Sequence, residues 1–321
     1  MNHVVTTVDD FFDRSRVDLE KKITATIADE DITSILLDGK RLRPLLAHLA
    51  FKACTQGKET PEEYERALEG AVSIELAHTA SLVHDDIIDK DNERRGKPSY
   101  YVKEGIAKAL ITGHKMLSAG FNIALKHGKE VADLYVQSWE QVVNGELDEV
   151  SFNADENTIL QNMSTKSQIF EAYNKIIDLK TAVLFSSACK AGAIEANMTG
   201  DILQVFGHYG REIGLAYQLA DDLVDLACGE MIDSVIIPLV NKLEQQTTMK
   251  RAFATRMIKK KVAQHQDKIQ QLYLDEIKHH IQQAEELSKV ESIPHSPYKQ
   301  LMTDAPSYII NKMLKEIQLS V

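Results

Sequence analysis

The sequence predicts an all-α protein. Three observations support this: apolar residues recur at helical spacing over residues 63–90, 160–198 and 201–227, short alternating strands bounded by turn residues are scarce, and only 15 glycines and 7 prolines interrupt 321 residues. We therefore expect one domain over residues 1–321, built as a bundle of ten or more helices.

Helix boundaries follow from composition. Glycine, proline and small polar residues predict loops at 57–61, 96–99, 153–157, near Gly229 and at 293–297. Residues 241–292 are rich in Lys, Gln and Glu with spaced apolar positions, which predicts exposed amphipathic helices with a solvated charged face.

Charge and cysteine content exclude several classes of protein. A formal net charge of -11 argues against a general nucleic-acid-binding surface. Cys54, Cys189 and Cys228 are too few and too far apart for a disulfide framework or a thiolate zinc site, so we expect a cytoplasmic protein. We expect no secretory signal and no membrane anchor, because no run of about eighteen apolar residues occurs.

The segment HDDIID, residues 84–89, is the strongest chemical signal. In a helix, Asp85 and Asp89 share one face, where two carboxylates repel each other unless a cation lies between them. Mg²⁺ prefers oxygen ligands and is commonly shared between carboxylates and substrate phosphates. Asp86 lies beside this pair and could assist.

The segment YQLADDLVD repeats the pattern with Asp221, Asp222 and Asp225. A single copy is as readily an exposed acidic helical turn. Two copies within apolar helices favour a shared metal site facing one cavity, because buried carboxylates without a cation or partner are costly.

Two basic segments, GKRLRP and RRGKP, supply cations for a phosphate site. They contribute Lys40, Arg41, Arg43, Arg94 and Arg95. Arginine matches phosphate oxygens in bidentate fashion, although either cluster alone is more often a surface patch. His78 lies two helical turns before Asp85 and is either a phosphate donor or a core histidine.

Together these motifs resemble the trans-isoprenyl diphosphate synthases, the polyprenyl synthetase family. The matching segments, in order, are GKRLRP, ELAHTASLVHDDIIDKDNERRGKPS, DLKTAVLF and GLAYQLADDLVD, within roughly residues 35–240. The resemblance implies the isoprenoid synthase fold around a central deep cavity, Mg²⁺ as cofactor, a homodimer, and condensation of isopentenyl diphosphate with an allylic diphosphate.

The resemblance also implies residue roles. The metal ligands are Asp85, Asp89, Asp221, Asp222 and Asp225. Lys40, Arg43, His78 and Arg95 bind isopentenyl diphosphate, and Arg94 contacts the allylic diphosphate. Lys180, Thr181 and Gln218 line the reacting centre, and Glu149 stands where the family often has a metal-proximal aspartate.

The implied mechanism is ionisation, condensation and elimination, with the departed diphosphate accepting the proton.

The sequence departs from the family pattern after the second acidic motif. Many relatives have a glycine-lysine pair there, followed by another aspartate and lysine, and these are missing from the segment LACGEMIDSVIIPLV. Lys242 comes later in the chain and has no matching position. Tyr217 replaces a usual phenylalanine, which is a mild change.

Small residues before the first motif bear on product length. Ser81, Ala77 and Ile74 run down one helical face, and Ala80 borders that stripe. Met116, Leu117 and Phe121 are candidates for further walls. The absence of bulky aromatics near Asp85 favours geranylgeranyl or longer products over farnesyl, although small residues also simply allow close helix packing.

Other functions fit fewer residues. Glu75-x-x-His78 and Glu276-x-x-His279 resemble the ligand pairs of di-iron bundles, and His84-Asp85 could belong to a metal-dependent phosphohydrolase. A terpene cyclase would need no isopentenyl site and has a different second metal motif. A non-catalytic subunit of a heteromeric synthase fits the missing lysines but not two intact acidic motifs.

Overall fold

The computed structural model describes residues 7–37, 39–154, 166–229 and 255–321. The all-α prediction and the expected ten or more helices are confirmed. The α-helices are α1 (Val8–Thr26), α2 (Glu30–Leu36), α3 (Leu42–Thr55), α4 (Pro61–Ile88), α5 (Tyr100–Glu104), α6 (Ile106–Lys126), α7 (Lys129–Ala154), α8 (Lys166–Ile177), α9 (Val183–Glu195), α10 (Asp201–Ala227), α11 (Thr255–Ser288) and α12 (Pro297–Leu314). A π-helical segment, Asp178–Ala182, joins α8 to α9, and a 3₁₀ turn, Lys315–Ile317, follows α12.

The chain divides into two compact units. The first unit comprises Met1–Trp139, Leu184–Gly210 and Ser288–Met302. The second comprises Glu140–Val183, Arg211–Leu287 and Thr303–Val321. One domain over the whole chain stays a prediction.

Helix α4 is the centre of the first unit, where it packs against α1, α3 and α6. Its start is fixed by Pro61 in the first turn and by a capping box between Thr60 and Glu63. Its body is buried on nearly every face, in a cluster that includes Val72, Leu76 and residues of α1, α2 and α6. The helix therefore delivers its C-terminal acidic motif on a rigid support.

Arg41 fixes the start of α3. It adopts a left-handed backbone conformation with φ of 56°, and its buried guanidinium donates to Glu20, to Glu75 at 2.8 Å and to the Leu36 carbonyl. This ion pairing gives Arg41 a structural role, in contrast to the phosphate-binding role suggested by its neighbours Lys40 and Arg43.

A short antiparallel hairpin interrupts the helices after the first acidic motif. Strands β1 (Glu93–Arg94) and β2 (Lys97–Pro98) pair with Arg94 opposite Lys97. Arg95 and Gly96 form the two-residue turn, with φ of 54° and 73°, as expected for a type I′ turn. The sequence predicted a loop here but not the strands.

In the second unit, α11 has the predicted amphipathic pattern. Ile269, Tyr273, Ile277 and Ile281 form its buried face, and most intervening polar residues are exposed.

Most predicted loop positions hold where the structure describes them. Helices end before residues 56–60 and 289–296, and Gly229 follows α10 in a turn. Residues 153 and 154 are helical, whereas 155–157 lie outside the described residues. Within the described ranges, no helix combines the length and apolar character that a membrane crossing requires.

A buried histidine makes stability depend on pH. His48 on α3 lies among Phe11, Phe51 and Tyr64, and neither ring nitrogen has a hydrogen-bond partner among the described residues. Burial, assisted by the charge of Lys52, lowers its pKa to about 3. The unfolded chain, with the ordinary histidine pKa of about 6.5, therefore takes up the proton first as pH falls.

We predict that His48→Phe weakens the acid sensitivity of folding. The wild type should lose roughly 3 kcal/mol more free energy of unfolding between pH 7 and pH 4 than the variant does. Urea unfolding at the two pH values measures this difference, with exposed His208→Gln as control. Equal losses in wild type and His48→Phe would contradict the assignment.

Candidate functional site

The first acidic motif lies at the C-terminal end of α4. Asp85 is half-buried and Asp89 is exposed, one turn apart on one face, and the Asp89 N–H donates to the Asp85 carbonyl at 2.8 Å. Two carboxylates one helical turn apart match the ligand set that Mg²⁺ prefers, because this ion usually takes only one or two protein carboxylates. The residues present therefore fit magnesium.

Asp86 turns away from this pair and anchors the hairpin. Its buried carboxylate accepts a hydrogen bond from Arg94 Nε at 2.6 Å. Burial raises the pKa of Asp86, and the charge of Arg94 opposes that rise. Arg94 is thus held within reach of the motif by a carboxylate that does not share the face of Asp85 and Asp89.

Arg43 and His78 meet beside the same helix. Arg43 Nη1 lies 2.9 Å from His78 Nε2, and the guanidinium lies 4.3 Å from the centre of the Phe185 ring. Burial and the charges of Arg43, Arg95 and Arg94 lower the pKa of His78 well below its usual value. His78 is therefore neutral and accepts from Arg43, which orients the arginine fork.

Two further cations lie at exposed turns of the first unit. Lys40 is exposed just before α3, where Arg16 donates to its carbonyl at 2.5 Å. Arg95 is exposed at the tip of the hairpin with a positive φ, a conformation that non-glycine residues rarely adopt. Such positions leave the charged ends accessible to an anion.

In the second unit, Lys180 and Thr181 lie on the π-helical segment Asp178–Ala182. One-turn π-bulges are frequent at functional sites, because the extra residue re-aims the side chains. Gly145 of α7 allows this segment to approach closely: a Cβ built on Gly145 would lie 2.8 Å from Leu179 Cβ and 2.9 Å from Lys180 N. Helical periodicity in the sequence gave no sign of the bulge.

Lys180 bridges two carboxylates of α7. Its Nζ lies 2.9 Å from Glu146 and 2.5 Å from Glu149. Glu149, where the family often has a metal-proximal aspartate, thus lies next to Lys180. Glu146 was not identified from the sequence, although it shares a helical face with Glu149.

A hydrogen-bond chain joins Thr181 to the second acidic motif. Thr181 Oγ1 donates to Gln218 Oε1 at 2.9 Å, and Gln218 Nε2 donates to Asp222 Oδ1 at 2.9 Å. The Tyr173 hydroxyl donates to the other oxygen, Asp222 Oδ2. The sequence analysis did not identify Tyr173. Its spacing of seven residues from Lys180, which in a regular helix places both on one face, was the available signal.

The three aspartates of this motif have different surroundings. Asp221 and Asp225 are half-buried, four residues apart on α10, and their carboxylates fit magnesium as the first motif does. Asp222 is buried, and burial raises its pKa to about 7 despite the hydrogen bonds from Tyr173 and Gln218. Asp222 therefore differs from the other two in accessibility.

An apolar cavity of about 30 Å³ lies beside α4 in the first unit. Ile74 and Ala77, two residues of the predicted product-length stripe, line it. The other lining residues are Ser73, Val131, Leu134, Tyr135, Ser138, Trp139, Leu184, Ser187 and Ala191. The side chains of α7 and α9 were not anticipated.

The remaining stripe residues, Ala80 and Ser81, do not line this cavity. Ala80 is fully buried and packs in the cluster that contains Leu76 and Met116, so it faces the core. Ser81 donates to the His78 carbonyl at 2.8 Å. Sequence spacing alone placed both near the stripe because α4 has almost no exposed face to break the ambiguity.

The glutamates that the di-iron hypothesis needs as metal ligands have other partners. Glu75 is paired with Arg41, and Glu276 accepts from Asn174 at 3.0 Å. Across the described ranges, no three His, Cys, Asp or Glu side chains lie close enough together to hold a metal ion by themselves. The segment LACGEMIDSVIIPLV from residue 230 onward, with Lys242, lies outside the described residues.

Comparison with known proteins identifies the family. The polyprenyl synthetase family model matches residues 26–275, and the chain belongs to this family. A geranylgeranyl diphosphate synthase of Methanosarcina mazei is 30% identical over 201 residues, which are 60% of this chain and 57% of the relative. A geranylfarnesyl diphosphate synthase of the same organism is 25% identical over 284 residues, covering 87% and 83%.

Solved structures show the same fold. A decaprenyl diphosphate synthase from Rhodobacter capsulatus superposes with a TM-score of 0.74 at 20% identity, covering 95% of this chain and 98% of that one. The isoprenoid synthase fold is thereby confirmed. Family membership also decides against the di-iron and phosphohydrolase hypotheses.

We predict that Gly145→Ala displaces the π-helical segment. The added methyl group meets backbone and Cβ atoms, so the unfolding free energy should fall by about 1–3 kcal/mol. Thermal unfolding measures the change. Gly207→Ala is the control, because the three atoms nearest to its methyl group belong to the flexible end of Lys190. Equal stability of the two variants would refute the close-packing role.

Proposed function

We propose that the protein is a trans-prenyltransferase that condenses isopentenyl diphosphate with an allylic diphosphate to form geranylgeranyl or longer all-trans polyprenyl diphosphates. Family membership supports the reaction class, although the first relative is matched over little more than half its length. The names of the two Methanosarcina relatives support the substrate class.

The observation that carries the proposal is the set of cations arranged around the acidic end of α4. Arg43 is oriented by His78, Arg94 is anchored by Asp86, and Arg95 is presented at a strained turn. Accessible carboxylates beside oriented arginines form a site for a metal-bound diphosphate. Lys40, Arg43, His78 and Arg95 hold isopentenyl diphosphate in this proposal, and Arg94 contacts the allylic diphosphate.

Asp85 and Asp89, with Asp221 and Asp225, would hold Mg²⁺ on the allylic diphosphate. When bound, this ion neutralises the charge that develops on the leaving diphosphate. Arg94 adds charge-assisted hydrogen bonds to the same oxygens. The C1–O bond of the allylic substrate then breaks, and the diphosphate leaves with the electron pair.

The residues of the second unit stabilise the cation that remains. The oxygens of Thr181 and Gln218, and the carbonyls around the π-bulge at Lys180, supply negative dipoles that require no reorganisation during the reaction. The double bond of isopentenyl diphosphate attacks C1 of the cation, and a proton then leaves C2 to the departed diphosphate. No side-chain base is required.

Incubation of the isolated chain with radiolabelled isopentenyl diphosphate, several allylic primers and Mg²⁺ tests this function. We expect labelled polyprenyl diphosphates of C20 or longer, and a loss of about 10³-fold in kcat for Asp85→Asn. Asp13→Asn, an exposed aspartate on α1, is the control. Absence of product from the isolated wild type would favour the non-catalytic subunit instead.

We propose that the growing chain enters the cavity lined by Ile74 and Ala77. Its walls include the small residues Ser73 and Ala191. At about 30 Å³ the cavity holds no more than about one water molecule. A chain of geranylgeranyl length therefore enters only as lining side chains such as Trp139 move aside.

Ala77→Phe should shorten the products, because the ring fills this cavity. Chain-length analysis by reversed-phase chromatography measures the shift, which we expect to be one isoprene unit or more. Ala77→Ser changes the side-chain volume little and serves as control. An unchanged distribution for Ala77→Phe would remove this face of α4 from the product path.

We further propose a homodimer and a cytoplasmic setting. Apolar side chains remain exposed along α6 and the start of α7: Ile106, Leu110, Ile111, Leu125 and Val136. An apolar surface shared by neighbouring helices favours binding of a second copy of the chain, which covers this surface symmetrically.

The cytoplasmic setting is supported by the three cysteines, which are free thiols and suit a reducing compartment.

Ile111→Glu should convert the dimer to a monomer. Ile111 is 69% exposed, and a charge placed there would be buried in the interface without a partner. Light scattering after size exclusion gives the mass. Val17→Glu on α1, at 54% exposure, is the matched control, and a wild-type monomer would rule out this interface.

A further inference from the structure

We propose that Tyr173 and Asp222 are positioning residues, which fix the amide of Gln218 so that its oxygen faces the reacting cation. This role rests on the proposed prenyltransferase function. It gives Asp222 a different role from Asp221 and Asp225, whereas the sequence analysis assigned all three as metal ligands.

The geometry determines which way the amide points. Asp222 Oδ1 accepts from Gln218 Nε2 at 2.9 Å, and in its ionised form this carboxylate can only accept. The nitrogen of Gln218 must therefore point to Asp222, and the oxygen must point the other way. There it accepts from Thr181 Oγ1 at 2.9 Å, beside Lys180 on the π-helical segment.

Tyr173 fixes the carboxylate in turn. Its hydroxyl donates to Asp222 Oδ2, so each oxygen of the carboxylate has a protein donor. Asp222 is only 4% exposed, and Tyr173 only 7%. Burial without these donors would be costly, whereas the half-buried Asp221 and Asp225 remain accessible to a hydrated metal ion.

The orientation matters because the two ends of an amide carry opposite partial charges. An oxygen directed at an allylic cation stabilises it, and an N–H in the same place opposes it. Since the chain Tyr173, Asp222, Gln218, Thr181 lies within the second unit, it can preset this dipole before substrate binds. Preorganised dipoles affect kcat rather than ground-state binding.

Steady-state kinetics of Tyr173→Phe test the proposal. We expect kcat to fall about tenfold, while KM for both substrates and the Mg²⁺ concentration at half-maximal rate stay within about twofold. Tyr273→Phe is the matched control: Tyr273 is also buried near Asp222, but in the part of the chain that the structure describes its hydroxyl has no hydrogen-bond partner. The control should retain wild-type kcat.

Asp222→Asn gives a second, independent variant. An asparagine can donate to Gln218, which lets the glutamine amide turn over and point its N–H at the cation. We expect a larger loss of kcat than for Tyr173→Phe, again with unchanged Mg²⁺ dependence. Adding Tyr173→Phe to Asp222→Asn should cost little more, because both changes break one chain.

Two results would overturn the role. One is a Tyr173→Phe enzyme with wild-type kcat. The other is an Asp222→Asn enzyme that regains wild-type kcat at high Mg²⁺, which would make Asp222 a metal ligand. An inactive wild type would instead remove the proposed function itself, and the positioning role with it.

Discussion

Burial of negative charge is the constraint on which this structure depends. A carboxylate removed from water must find a cation or hydrogen-bond donors, or else take up a proton. Here Glu75 is paired with Arg41, Asp86 with Arg94, and Asp222 with the donors Tyr173 and Gln218. Each pairing fixes a backbone or side-chain position that the proposed chemistry needs.

The buried, paired carboxylates and the accessible carboxylates therefore have different proposed roles. Asp85 and Asp89 extend from the buried body of α4 towards water, while Asp86, between them in sequence, points inward and holds the hairpin arginine. In the second motif, Asp221 and Asp225 are half-buried, whereas Asp222 is buried and accepts a hydrogen bond from Gln218. In both motifs, the helical repeat separates two accessible carboxylates, the proposed metal ligands, from a buried carboxylate that holds a neighbouring side chain.

Much of this was readable from the sequence, because helical periodicity and the DDxxD spacing are local patterns. The all-α class, the limits of α4 and α10, and the family followed from them. The partners did not, since Tyr173 reaches Asp222 and Glu146 reaches Lys180 only through folding. The π-bulge was hidden as well, because one inserted residue changes no residue type. The sequence analysis placed Ala80 beside the product-length stripe, but it packs in the core. On a helix that is buried on nearly every face, residue spacing alone does not distinguish core positions from cavity-lining positions.

The central claim is that accessible aspartates of both motifs bind diphosphate through magnesium. Calorimetric titration of inorganic diphosphate into the protein, with and without Mg²⁺, tests it without requiring turnover. The account predicts tight binding only with Mg²⁺, weakened at least tenfold by Asp89→Asn and by Asp221→Asn separately. Binding that is independent of Mg²⁺, or unchanged in both variants, would contradict it.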